Sequence, residues 1–275
     1  MAEANNPAAR LHRILTQAKG LANQKALSAW SKLLSVPADN CADLVRRLGI
    51  VLSLPADIRE QIECIPEIDT EVYLKWIPEV ENGFSSLNLS RSFQEFTNPI
   101  SDKALHGIEF CSEILARTFP DKILNKTELE SLDADVLSLI DRVVDIPMDN
   151  HAQKFILDKL YLVHQAIQDY DLVGPKPLGV AVQATIGAAI FDQKVRADIN
   201  QSEVKGDFWG VIYRAAMIVT IIAGTAQIAS SVSKLLPELC EAETQILENA
   251  RIVEPEDGQV SSEGAQNAPA KQPSS

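Results

Sequence analysis

Between Ala215 and Val232 the chain runs eighteen residues without a charged side chain, and a second uncharged stretch, Leu178–Phe191, precedes it. Segments like these have two stable settings: the all-round-buried interior of a helical protein, or lipid. Their small residues narrow the choice of neighbour. Gly179, Ala181, Ala184, Gly187 and Ala188 in the first, and Ala216, Thr220 and Gly224 in the second, permit close backbone approach. The expectation is a helical hairpin in which Ala184 and Gly187 receive the Ala216–Thr220–Gly224 ridge.

Phe208, Trp209 and Tyr213 stand just before the second run with Arg214 at its edge. That order suits an interfacial belt, which makes Trp209, Tyr213 and Arg214 candidate membrane-interface residues. Eighteen residues only meet the lower limit for crossing a bilayer. Ile and Val contribute about 0.3–0.6 kcal/mol each at a helix centre, and Thr220, Gly224, Thr225, Gln227, Ser230 and Ser231 offset much of that. The balance predicts soluble core, with membrane association as the alternative.

The rest of the chain reads as helix. Aromatic residues are 5% of the composition, so the core must be built from Leu, Ile, Val and Ala, which favours helix on helix. Leu11, Ile14, Leu15, Ala18, Leu21 and Ala22 recur at helical spacing from Ala8 toward Ser35, where Val36-Pro37 stops the run. Asp39-Asn40 is placed to cap a second helix ending at Leu54-Pro55, with a short one over Ala56–Glu63. Prolines 66, 78 and 99 cut up the next stretch, and Tyr73–Ile77 is expected as a helical turn. Ser101 or Asp102 opens a helix to Phe119, Thr127–Glu130 has capping-box spacing for one to Asp145, and Asp149 or Asn150 starts one to Tyr170.

Gly174-Pro-Lys-Pro177 is the sharpest break and is taken as a subdomain boundary. One helix is expected from Pro177 to about Glu203, another from Asp207 to Leu236, and a last one from Pro237 to Val253. Glu254–Ser275 is too polar to bury a core and is expected to be a disordered tail. The predicted fold is all-α: a multi-helix domain over 1–173, an apolar hairpin with a terminal helix over 174–253, and a tail over 254–275.

The chemistry-bearing residues are sparse. A formal charge of −13, with Arg46-Arg47 as the only local basic run, argues against nucleic acid as a partner. Gly174 to Gly179 has phosphate-loop spacing, yet Val180 and Ala181 stand where Lys and Ser or Thr are needed. His106, Glu109 and Glu113 share a helix face but fan away from the apolar stripe, so no metal is expected. Gly83-Phe-Ser-Ser-Leu87 lacks the last glycine of a nucleophile elbow. His164 reads as a hydrogen-bonded structural histidine. Cys41, Cys64, Cys111 and Cys240 are dispersed and read as buried thiols in a reducing compartment.

The polar opening Met1–Pro7 predicts no secretory leader, and the ends predict no lipid anchor. The chain is thus expected to be cytoplasmic, of bacterial type, without cofactor, acting through a protein partner or self-association as an adaptor, immunity or regulatory protein. A membrane-acting, toxin- or defence-like effector is the alternative, and an enzyme with a dispersed site the third reading.

Overall fold

The computed structural model describes residues 5–119 and 126–223, all of them within one compact unit. Thirteen helices and no strand occur among the described residues, so the chain is all-α.

Helix α1 (Pro7–Gly20) begins where Asn6 accepts a hydrogen bond from the Ala9 amide at 2.9 Å and Pro7 supplies a preset first turn. Its face Leu11, Ile14, Leu15 and Ala18 is buried. The expected continuation toward Ser35 is instead interrupted, and α2 (Ala26–Leu33) starts afresh. The first amides of α2 find no side-chain cap. Ala26 and Leu27 donate to the carbonyls of Arg91 and Leu89 at 2.9 and 3.1 Å, and Phe93 donates to Gln24 at 2.9 Å. A distant segment thus supplies the partners of the first amides of α2.

Helix α3 (Cys41–Glu63) runs through Pro55, against the expectation of a break there. An interior proline costs about 3 kcal/mol. Leu44, Leu48, Val51, Leu54, Ile58 and Ile62 keep one helical phase across it, and the last three are fully buried, each contributing about 1.5–3 kcal/mol. Burial outweighs the lost hydrogen bond. The short helices α4 (Thr70–Tyr73), α5 (Ile77–Ser85) and α6 (Gln94–Thr97) fill the proline-cut stretch, and Leu74–Trp76 is the turn that joins α4 to α5. Helix α7 (Asp102–Thr118) is capped by Ser101, whose hydroxyl accepts from the Ala104 amide at 3.1 Å. Helix α1 lies between α7 and α3, over a core that includes Trp30, Phe93 and Phe96.

The second group comprises α8 (Lys126–Asp145), α9 (Asn150–Gln168), α10 (Tyr170–Val173), α11 (Lys176–Phe191), α12 (Gln193–Gln201) and α13 (Lys205–Ala223). Helix α8 packs on α9, α9 on α11, α11 on α13 and α13 on α8, a closed four-helix arrangement. Gly174, at the expected subdomain boundary, lies between α10 and α11. Its positive φ of 73° is the left-handed turn that sends the chain from α10 into α11.

The single helix expected from Pro177 to Glu203 is two. Asp192 ends α11 and caps α12, accepting from the Val195 amide at 3.0 Å. Helices α11 and α13 pack together, but with α12 between them in the chain they are not a simple long hairpin. Gly224, the expected helix over Pro237–Val253 and the tail over 254–275 lie outside the described residues.

Candidate interaction surfaces

The residues singled out in the apolar pair fall on different sides of the structure. Gly179 is where α11 approaches α13: a Cβ there would lie 3.2 Å from Val219 Cγ1. Ala216 is buried in α13, and Thr220 returns its hydroxyl to the Ala216 carbonyl at 2.9 Å. Ala184 and Gly187, expected at that contact, are turned away from it. Ala184 is exposed, and a Cβ at Gly187 would meet nothing within 4 Å. The buried face of α11 is Leu178, Gly179, Ala181, Val182, Thr185, Ile186 and Ala189.

The expected membrane belt is also folded inward. Trp209 is 1% exposed, its indole N–H donating to Asn200 Oδ1 at 3.3 Å, and Tyr213 is buried. Arg214 pairs with Asp135 on α8 and reaches the Ser131 hydroxyl at 3.2 Å. Arg142 and Asp207 add a second α8–α13 tie at 2.6 Å. These side chains serve the bundle. Among the described residues no helix is long and apolar enough to cross a membrane.

The groups weighed for chemistry have partners of their own. His106 meets the Asp102 carbonyl at 2.7 Å, and Glu113 pairs with Arg117 at 3.6 Å. Among the described residues no three His, Cys, Asp or Glu side chains are grouped to hold a metal ion. His164 Nδ1 lies 2.6 Å from Asp133 Oδ1, and Gln168 donates to the other carboxylate oxygen at 2.8 Å, tying α9 to α8. Cys41 and Cys64 are exposed, contrary to the expectation of buried thiols, whereas Cys111 is buried and its thiol is pushed up by that burial.

Arg46 and Arg47, legible in the sequence only as a basic doublet, clamp the two groups of helices together. Asp169, at the α9–α10 junction and 4% exposed, takes both guanidinium nitrogens of Arg46, the Nη2 contact being 2.9 Å. Arg47 Nε lies 3.3 Å from the same carboxylate, and Asp43 braces Arg46 at 2.6 Å. These carboxylates hold the Arg46 guanidinium well above its ordinary value. No periodicity rule links position 46 to position 169, so this contact was invisible in the sequence.

A surface cleft of about 380 Å³ lies between α4 and α7. Its floor is rigid. A Cβ on Gly107 would lie 3.0 Å from Trp76 Cδ1, so glycine lets the indole lie directly on α7. Trp76 Nε1 donates to Cys111 Sγ at 3.4 Å, and that thiol donates to the Tyr73 carbonyl at 3.3 Å. On this floor Phe110 and Val72 stand 61% and 53% exposed, with Ile114 between them and the Glu113–Arg117 pair at one end.

The described residues form a helical protein with exposed apolar side chains in this cleft and on the outer side of α11, among other places. Compared with protein-family models, with curated proteins and with solved structures, the chain finds no match in any of the three.

Proposed function

We infer that the chain is a non-catalytic helical protein that works by binding another protein, as an adaptor, immunity or regulatory subunit does. The observation that carries this reading is the α4–α7 cleft. Burying Phe110 and Val72 would remove large apolar area from water at about 25 cal/mol per Å². An aromatic anchor on a preformed floor, bounded by one charged pair, is the usual anatomy of an interface hot spot. The cleft suits an apolar helix or turn from the partner, with a polar group set against Glu113 or Arg117.

The test is a photo-crosslinking residue at position 110 in the full chain in its native cells, with position 45 as an equally exposed control. A single discrete adduct at 110, absent at 45 and abolished by Val72→Glu, supports the reading. No adduct at 110 beyond the control overturns it. The second reading, a membrane-acting effector, draws on the uncharged run that begins at Ala215 and continues past the described residues. Partition of the whole chain with membranes after a high-salt wash would favour it.

A further inference from the structure

Helix α10 is the piece through which the two groups of helices meet. It packs on α1 and α3, and among the described residues no other helix of the second group packs closely on any of α1 to α7. Its apolar side belongs to the first group: Leu172 is buried in the core that holds Trp30 and Phe96, and Val173 packs against that core. Both of its ends are bends. Asp169 leaves helical geometry between α9 and α10, at φ −93° and ψ 0°, and Gly174 turns the chain into α11 at a φ of 73°.

The contacts around those bends are polar. At the first, the Asp169 carboxylate takes Arg46 and Arg47 of α3, with Asp43 beside Arg46. Along α10, Arg13 donates to the Asp171 carbonyl at 2.8 Å and Asn5 donates to the Tyr170 hydroxyl at 3.2 Å. At the second bend, Arg10 lies where a Cβ on Gly174 would stand, 2.7 Å from its Nη1. Asp57 of α3, with Glu60 near it, feels the charges of Arg10 and of Lys176 at the start of α11.

Interfaces within a chain hold their two sides rigidly when they are large and hydrophobic, and otherwise leave them able to turn. This one buries a single four-residue helix and a set of charged groups. A desolvated ion pair regains hydration when it opens, so the net free energy keeping it shut is small beside its Coulomb attraction. Hinges form at a few residues at the ends of elements, which describes Asp169 and Gly174.

We propose that α10 is a hinge on which α8, α9, α11, α12 and α13 turn as one body against the first group, and that Asp169, held by Arg46 and Arg47, is the latch of the closed position. Leu172 and Val173 stay in the first group's core, and the backbone at Asp169 and Gly174 takes up the rotation. On opening, Asp43 remains as a partner for Arg46, and water solvates the Asp169 carboxylate. This does not rest on the cleft reading, since α4 and α7 belong to one group.

Distances between spin labels read the motion. In a chain with Cys41, Cys64 and Cys240 changed to Ser and the buried Cys111 kept, label pairs are placed at exposed positions. Leu52 with Tyr161 spans the hinge, Leu52 with Arg91 lies inside the first group, and Val144 with Val180 lies inside the bundle. Each pair should give a single distance. Asp169→Ala and, separately, Arg46→Gln should give the Leu52–Tyr161 pair a second, displaced peak while the two other pairs keep theirs. Asp169→Glu should retain the single peak. A Leu52–Tyr161 distance unshifted in both variants overturns the proposal. So does broadening of the pairs within each group, which would mean that the whole unit loosens. Loss of folding in both variants overturns it too, because the clamp would then be part of one cooperative core.

Discussion

Gly83→Ala is the sharpest probe of how the short helices pack. Gly83 sits in α5, and a Cβ there would lie 2.8 Å from the Phe96 carbonyl oxygen and 3.2 Å from both Ile100 Cδ1 and Cγ1. A side chain could swing away, but a backbone carbonyl cannot move without moving α6. Overpacking of this kind costs about 1–3 kcal/mol, and the main-chain obstacle places it at the upper end. Alanine regains up to about 0.8–1 kcal/mol of helix propensity, leaving a net loss of about 1–2 kcal/mol. For a chain of this size that is a fall in Tm of about 2–8 °C. The paired control is Gly187→Ala, where nothing lies within 4 Å of the new methyl. There the propensity term acts alone, and the variant should gain close to 1 kcal/mol. Urea unfolding of both variants at low concentration, followed by far-ultraviolet circular dichroism, measures the two signs. If Gly83→Ala matched or exceeded the parent, Phe96 could not lie where it does, and the α5–α6 packing would be wrong.

Two further outcomes follow from the charged contacts. Asp169→Ala should cost roughly 2–3 kcal/mol in the same urea assay, toward the lower side for a broken buried pair because Arg46 is about one-third exposed and Asp43 remains beside it; Asp169→Asn should cost less, and no loss in either would show that the clamp does not hold the two groups of helices together. Hydrogen bonding from Ser101, first its side chain and then its amide at 3.1 Å, holds the Glu79 carboxyl below the ordinary 4.5. Because its folded value is the lower one, its contribution is complete above the unfolded pKa and is lost as pH falls through the folded one. The urea midpoint should therefore drop between about pH 5 and pH 3, less steeply in Glu79→Gln, and equal slopes in the two proteins would refute the assignment.

What the sequence disclosed was local. Asn40, Ser101 and Asp149, each legible as a cap, cap helices in the structure, and Asn6 and Asp192 do so as well, because a cap is written within four residues. Asp192 was nonetheless passed over, since apolar residues before it and polar ones after it look like one helix crossing from core to surface. The start of α2 was hidden for the opposite reason: the carbonyls of Leu89 and Arg91 that accept its first amides lie more than sixty residues away. Pro55 shows a local rule overridden by long-range packing, with Leu54, Ile58 and Ile62 holding the helix through it. The α4–α7 cleft had no sequence signature. Gly107 looks like any tolerated helical glycine until Trp76 is seen lying on it.

The outer face of α11 marks where pattern reading has no purchase. On an amphipathic helix the polar residues reveal the phase, so the buried side follows. Helix α11 has only Lys176, Gln183 and Thr185 as polar residues, too few to fix from its sequence which side faces in. Small residues were read as marking the internal contact because close approach needs them. The structure uses one such set, Gly179 and Ala181 among them, against the bundle and leaves Ala184 and Gly187 at the surface. A helix that must satisfy only one interface has no reason to keep small and apolar residues on the other side. Water would accept Lys or Glu at position 184 or 191 at little cost, and both strengthen a helix. Packing inside the bundle accounts for the first set and leaves the second without a role there.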